Sequence, residues 1–474
     1  MMNNSIKTQV VVIGSGPAGY SSAFRCADLG FKTIIIERYK KLGGICLNVG
    51  CIPSKSLLYI SKIIEEIKIL TTKNIISCNF NNNINKIREW KDNIINKINK
   101  GILNLSKLRK ITIINGIAKF KDINTLIIEN NQKKIELIFN FAIIATGSRP
   151  IKLPFLLKKN SIIWDSNDAL KLLEIPSKLL IIGGGIIGME MSYIYNALGS
   201  KVDIIELNNQ IIPEADKDIS EILYKIMYKK INIMLNTSVN EIKINKNFAY
   251  VQIKFKNHTE IKKYNKVLVA IGRKPNTDNI NIEKIGVIKK TNGFIKTDKQ
   301  LRTNINNIFA IGDITGQPML AHKAIHEGHI AASIIAGNNY IIFNKKNIPL
   351  IAYTDPEVAW VGITEKKAFK NNINYKTSIF PWTASGRAII SNCEKGITKL
   401  IFENKTNRII GGAIVGTHGG ELLGEICLAI EMGCDVEDIA LTIHAHPTLN
   451  ETIGLAAELY SGVITDLPNN NPKN

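Results

Sequence analysis

Two cysteines five residues apart, Cys46 and Cys51 in GGICLNVGCIPSK, are the residues of this 474-residue chain best suited to redox chemistry. In a regular helix their Cα atoms would stand roughly 8–9 Å apart, whereas a disulfide needs less than about 7 Å. A bond between them therefore requires a helix broken or tightened at that point. Gly50 and Pro53 supply the means, one by conformational freedom and the other by lacking an N–H. A thiolate near the start of the helix that follows would gain from the orphan N–H groups and the macrodipole, which lowers its pKa. The competing reading of a CxxxxC pair is two small hydrophobes in a packed turn. Against it stands the setting, a glycine-rich turn nine residues beyond an apparent dinucleotide unit. The other cysteines, Cys26, Cys78, Cys393, Cys427 and Cys434, have no partner at useful spacing.

Making or breaking a disulfide moves protons, so a group titrating near neutrality is wanted. His446, in ALTIHAHPTLNETIGLAAEL, is the candidate. Pro447 biases it out of helix, and Glu451 can accept from one ring nitrogen while the other faces a thiol. The plainer reading makes Thr448 and Glu451 a capping box for the last helix, with His444 and His446 as loop histidines. His322, His326 and His329 fall at i, i+4 and i+7 but lack a further Cys or carboxylate at ligand spacing, so no metal is expected.

These groups need elements to hold them, and an internal repeat provides the plan. QVVVIGSGPAGYSSAFRCADLGFKTIIIER and KLLIIGGGIIGMEMSYIYNALGSKVDIIEL each run from strand to glycine turn, helix and second strand. Their glycines are Gly14, Gly16, Gly19 and Gly183, Gly185, Gly188, and an acid, Glu37 or Glu206, follows the first glycine by 23 residues in both. The first glycine makes the tight turn, the second lets backbone approach a pyrophosphate, and the third lets helix pack on strand. The acid accepts hydrogen bonds from a ribose diol. Two strand-flanked copies imply two dinucleotides. After Glu206 come Leu207, Asn208 and Asn209 rather than an Arg for a 2′-phosphate, which favours NAD. Because nicotinamide delivers hydride to a ring and not readily to sulfur, a flavin suits the other site.

FAIIATGSRP and KVLVAIGRKP read as points where the chain passes between nucleotide domains, and from about Ile348 the pattern becomes an α+β block. The formal net charge is +21, but the lysines are scattered singly among Asn and Ile, so no specific nucleic-acid partner is expected. No apolar stretch is long enough for a membrane span, and seven cysteines are too few for a secreted scaffold. The opening MMNNSIKTQVVVIG enters a strand by about Gln9, with no room for a secretory signal, so a cytoplasmic protein is expected.

GGICLNVGCIPSK, the doubled glycine motif, ATGSRP, NIFAIGD and HPTLNE, in this order along essentially the whole chain, resemble the dihydrolipoamide dehydrogenase branch of the pyridine nucleotide–disulfide oxidoreductases. The resemblance implies an α/β fold: two Rossmann-like dinucleotide-binding domains, for FAD (1–149) and NAD (150–274), a central segment completing the FAD site (275–346), and a C-terminal α+β dimerisation domain (347–474). It implies that Cys46 is the interchange thiol, that Cys51 lies nearer the flavin, and that Lys55 near flavin N5 pairs with Glu190. FAD would be bound by Gly14, Gly16, Gly19, Glu37, Lys55, Ala118, Thr146, Gly147, Asp313 and Ala321. NAD would be bound by Gly183, Gly185, Gly188, Glu206, Val239 and Gly272. His446 would be the base, oriented by Glu451, and would reach the partner subunit's disulfide in a homodimer. The implied reaction is oxidation of dihydrolipoamide by NAD, with the lipoyl-bearing acyltransferase core of 2-oxo acid dehydrogenase complexes as partner. Asn450 sits at a variable position of the family pattern. Within the class, glutathione reductase would want basic residues after Glu206, and mercuric reductase a vicinal Cys pair near the C-terminus; neither is present. A catalytically inactive complex subunit is the reading from outside the class, and the joint presence of Cys46, Cys51, Lys55, His446 and Glu451 speaks against it.

Overall fold

The computed structural model describes residues 5–78, 81–130, 133–154, 160–256, 258–344 and 347–468. Four consecutive residues of the strand Ile6–Ile13, Val10 to Ile13, are buried, as a central parallel strand covered on both faces requires. It pairs in parallel with Thr33–Glu37 on one side and Lys133–Ile144 on the other. Thr112–Asn115 extends the sheet beyond Thr33–Glu37, while Thr125–Asn130 and Ile117–Asp122 continue it antiparallel at the opposite edge. The strand Ile308–Ala310 returns from far along the chain to pair with Ala142–Ile144, bringing the NIFAIGD segment back to the first sheet.

The second repeat builds a five-stranded parallel sheet in the order Asn232–Met234, Lys201–Ile205, Lys178–Ile182, Lys266–Val269 and Ile163–Trp164. A three-stranded meander, Thr237–Asn245, Phe248–Phe255 and His258–Tyr264, covers it. The two segments read as crossing points, Ser148–Pro150 and Arg273–Pro275, pair with each other as an antiparallel ribbon. The boundary expected at residue 346 falls outside the described residues.

The C-terminal sheet is antiparallel, in the order Leu350–Ala352, Glu357–Gly362, Ile409–Gly416, Ile397–Glu403 and Tyr375–Pro381. Its core holds the fully buried Trp382, whose indole N–H donates to Thr398 Oγ1 at 3.0 Å. A Cβ at Gly416 would lie 2.2 Å from that ring, so glycine makes its place.

Lys399 fastens this block to the second nucleotide domain. Its fully buried ammonium meets Asp216 at 3.4 Å and Asp218 at 2.7 Å from that domain, and Glu365 from its own. Asp216 also accepts from the backbone N–H of Glu365 and Lys366 at the start of the helix Glu365–Lys370. The three carboxylates thus share one internal cation. Among the described residues no helix is long and apolar enough to cross a membrane.

Candidate active site

Cys46 lies on the short helix Gly44–Val49, and Cys51 is the first residue of the long helix Cys51–Thr72. Gly50 breaks the path between them with φ −142° and ψ −117°. A Cβ there would stand 2.8 Å from the carbonyl oxygen of Ile45, so the close approach that folds one helix over the other needs glycine. Pro53 sits in the first turn, where its missing N–H costs no helical hydrogen bond.

The two thiols are unbonded and hydrogen-bonded to each other. That bond shifts them apart: Cys51, accepting, is lowered to about 7, while Cys46, donating, is driven far above the ordinary thiol range. Burial opposes the lowering of Cys51, and the Lys55 ammonium assists it. Two neighbouring thiols pushed in opposite directions make one good thiolate and one proton-holding thiol.

Lys55, one helical turn after Cys51, places Nζ 2.9 and 3.0 Å from the two carboxylate oxygens of the buried Glu190, on the second domain's helix Ile186–Ala197. Burial alone would lower the Lys55 pKa; Glu190 and the Cys51 thiolate outweigh it and raise it. Tyr353 of the C-terminal domain completes this group. Its backbone N–H donates to Glu190 at 3.1 Å, and its ring lies 4.4 Å from Lys55 Nζ. One ion pair therefore ties together all three parts of the chain.

The cysteines line a continuous cleft of about 1750 Å³ that runs along both glycine turns. The two turns are built alike. Gly14 and Gly183 have φ of 104° and 110°, and a Cβ on them would meet the carbonyl oxygens of Ala145 and Ala270 at 2.4 and 2.5 Å. At Gly185 a Cβ would meet nothing within 4 Å, and at Gly16 its nearest neighbour would be 3.8 Å away, which leaves space above the backbone for a phosphate. Gly19 and Gly188 do not line the cleft; a Cβ on either would lie 1.9 Å from the carbonyl oxygen of the first glycine. These two of the expected cofactor-binding glycines therefore act through helix-on-strand packing beneath the site.

Both acids reach back to their turns. Glu37 accepts from Ser15 N and Oγ at 3.0 and 2.6 Å, and from Tyr39 N at 3.0 Å. Glu206 accepts from Gly184 N at 2.6 Å and from Asn208 N and Nδ2 at 2.8 and 2.6 Å. Each is buried, fixed in orientation, and lines the cleft with lone pairs left for a ribose diol. Two open turns, two oriented acids and a cleft continuous from one to the other fit two dinucleotides meeting near Cys51 and Lys55.

The remaining expected residues, Ala118, Thr146, Gly147, Asp313, Ala321, Val239 and Gly272, also line the cleft. Asp313 accepts from Ser148 Oγ at 2.5 Å, which in turn accepts from Arg273 Nε at 2.8 Å. Its loop is held by a fully buried pair, Lys323 and Glu327 at 3.0 Å, with Glu327 accepting from Gly312 N at 2.6 Å. Sequence reasoning missed Tyr353, Ser148, Arg273, Lys323 and Glu327. The i, i+4 Lys/Glu spacing in HKAIHEG was the one available signal. Lys366, Lys367 and Lys370, from a remote helix, line the same cleft and were invisible to a reading confined to the residues after Glu206.

His446 and Glu451 are brought together but not to the cleft. His446 Nδ1 lies 2.8 Å from Glu451 Oε1, and the imidazole is 80% exposed on the C-terminal domain. Glu451 Oε2 accepts from Thr448 N at 2.6 Å, so one carboxylate serves both the functional and the capping reading. The capping box itself is incomplete. Asn450, not Thr448, precedes the helix Glu451–Ser461, and the Thr448 hydroxyl donates to Ala445 O instead. Leu428, Met432, Leu441 and Ile443, the last 97% exposed, also stand on the surface of this domain.

Residues 8–328 match the family described as pyridine nucleotide-disulphide oxidoreductase, and residues 348–457 match the dimerisation domain of that family. The chain is similar to dihydrolipoyl dehydrogenase of Vibrio cholerae, 56% identical over 469 residues and covering 99% of this chain and 98% of that one. It is 55% identical over 472 residues to dihydrolipoyl dehydrogenase of Buchnera aphidicola from Acyrthosiphon pisum, covering 99% of each. Among solved structures, the Cu(II) complex of the HOCl-induced flavoprotein disulfide reductase RclA from Escherichia coli superposes with a TM-score of 0.85 at 26% identity, covering 96% of this chain and 99% of that one. The glycine turns, the paired thiols and these full-length likenesses lead to one conclusion: the chain belongs to the pyridine nucleotide-disulphide oxidoreductase family.

Proposed function

We propose that the chain is an NAD-dependent dihydrolipoyl dehydrogenase whose active site is completed by a second copy of itself. The observation that carries this is the thiol pair in the cleft, Cys46 and Cys51 on successive helices with Lys55 one turn beyond, reached by both glycine turns. FAD and NAD are the dinucleotides, FAD on Gly14, Gly16, Glu37, Ala118 and Asp313, NAD on Gly183, Gly185, Glu206 and Val239. A bound flavin supplies the two-electron relay between the dithiol and NAD.

In the catalytic cycle the pair starts as a disulfide. One thiolate of a dihydrolipoyl group attacks Cys46 sulfur, breaking the Cys46–Cys51 bond and leaving Cys51 as the thiolate held by Lys55. His446, its ring oriented by Glu451, takes the proton of the second substrate thiol. That sulfur attacks the substrate sulfur bonded to Cys46, closing the lipoyl disulfide and releasing Cys46, which takes up the proton. The first substrate thiol enters with its proton already lost to solvent, so the sum is dihydrolipoyl monothiolate plus disulfide giving lipoyl plus the Cys46 thiol and the Cys51 thiolate. Because His446 stands on the exposed face of the C-terminal domain, the base for one cleft comes from the other subunit of a homodimer, across the apolar surface near Ile443. A lipoyl-bearing core of 2-oxo acid dehydrogenase complexes is the physiological donor, in a cytoplasmic setting. Steady-state turnover of dihydrolipoamide with NAD, run beside NADP and beside glutathione disulfide with NADPH, tests the reading. Preference for the glutathione pair would overturn it.

A further inference from the structure

The loop that carries His446 and Glu451 is closed on itself by Thr448 and is fastened to the domain at both ends by one carboxylate. Glu425, on the helix Gly419–Met432, accepts from His444 Nε2 at 2.7 Å with Oε1 and from Asn450 Nδ2 at 2.8 Å with Oε2. His444 stands two residues before His446, and Asn450 immediately before Glu451. An ionised carboxylate only accepts, so Nε2 is the protonated nitrogen of His444. The hydrogen bond to Glu425 raises the His444 pKa, and the bonds from His444 and Asn450 hold Glu425 below the ordinary carboxylate range despite its burial. Glu451 and Glu458, from the final helix, are the other charged groups that act on His444.

The contact beneath His444 is equally tight. A Cβ at Gly454 would lie 2.8 Å from His444 Nδ1, so the imidazole rests directly on the backbone of the helix that begins at Glu451. The His446 ring, by contrast, is mostly exposed and takes its orientation from Glu451. Its placement therefore depends on where the two ends of the loop are pinned.

We propose that Glu425, His444 and Asn450 are positioning residues for the His446–Glu451 pair, acting as a single clamp that fixes where the base projects toward the partner subunit. This rests on the assignment of His446 as the base. Displacing a catalytic group by about 1 Å costs on the order of a hundredfold in rate, so a clamp loosened by one bond should cost less but be measurable.

The test uses the flavin-loaded enzyme and the variants Glu425→Gln, Asn450→Ala, Asn450→Ser and His446→Gln. Two rates are compared: dihydrolipoamide with NAD, which needs the base, and NADH with ferricyanide, which does not. Glu425→Gln should lose about tenfold in kcat on dihydrolipoamide with the ferricyanide rate unchanged. Asn450→Ala should lose in the same sense, and Asn450→Ser, which keeps a donor, should recover most of the loss. Combining Glu425→Gln with His446→Gln should cost nothing beyond His446→Gln alone. The clamp is refuted if Glu425→Gln and Asn450→Ala keep full dihydrolipoamide turnover while His446→Gln loses it, or if they slow both rates equally. Full turnover by His446→Gln would instead overturn the assignment of the base.

Discussion

Removing the Cys46 thiol should raise the pKa of Cys51, because the hydrogen bond from Cys46 is the largest of the forces lowering it to about 7. In Cys46→Ala that donor is gone while burial, which pushes upward, remains. Lys55 still assists, so the shift stops short of what both losses together would give. At a pKa of about 7, half of Cys51 is thiolate at neutral pH; at the ordinary thiol value of about 8.5 only about 3% is, a drop of roughly fifteenfold. The assay is the long-wavelength absorbance of the reduced, flavin-loaded enzyme as a function of pH, with Cys51→Ser as the blank. Wild type should titrate about neutrality, Lys55→Met higher, and Cys46→Ala higher again by at least about one pH unit, in the order of the causes. A midpoint unmoved in Cys46→Ala would refute the reasoning, because it would mean that Lys55 or the helix terminus alone sets the thiolate.

Other consequences follow from the same contacts. His446→Gln should lower dihydrolipoamide turnover about 10²–10⁴-fold with flavin content intact, as loss of a general base does; stopped-flow rates with each substrate check it. Lys399→Met deprives Asp216, Asp218 and Glu365 of their shared cation, with Asp216 the most buried of the three, and should destabilise the fold by roughly 3 kcal/mol, read as a lowered thermal midpoint of the flavin-loaded protein. Glu206→Ala should raise KM for NAD about tenfold and narrow its advantage over NADP, since Glu206 is the acid of the second turn and Lys366 and Lys367 line the same cleft. Unchanged discrimination between the two nucleotides would place the ribose elsewhere.

Much of this was legible in the sequence because its signals are local. Each glycine turn needs a strand, a turn and a helix in one short stretch, and the three glycines meet three separable steric demands at fixed spacing. The Cys pair announces itself through Gly50, whose missing side chain is what the crossing of two helices requires. Of the residues that went unseen, Tyr353 and Ser148 act over long separations. Tyr353 reaches Glu190 across 163 positions and Ser148 reaches Asp313 across 165, with no periodicity to betray either pairing. His446 shows the opposite limit. Local sequence offered Glu451 as its partner, and the two are hydrogen-bonded, yet the single chain leaves that pair on its surface and away from the cleft. The capping box failed for a plainer reason: the helix begins at Glu451 with Asn450 at its cap position, which leaves Thr448 two residues too early to cap it.

Subunit mixing decides whether the thiol pair and the base belong to different chains of one dimer. Cys46→Ser and His446→Gln each remove one half of the site. If the halves lie on different chains, a mixed dimer regains one intact site of its two, and random pairing of equal amounts restores about a quarter of wild-type dihydrolipoamide turnover. Mixed dimers no more active than their inactive parents would contradict the account, since they would place the base and the thiols on the same chain.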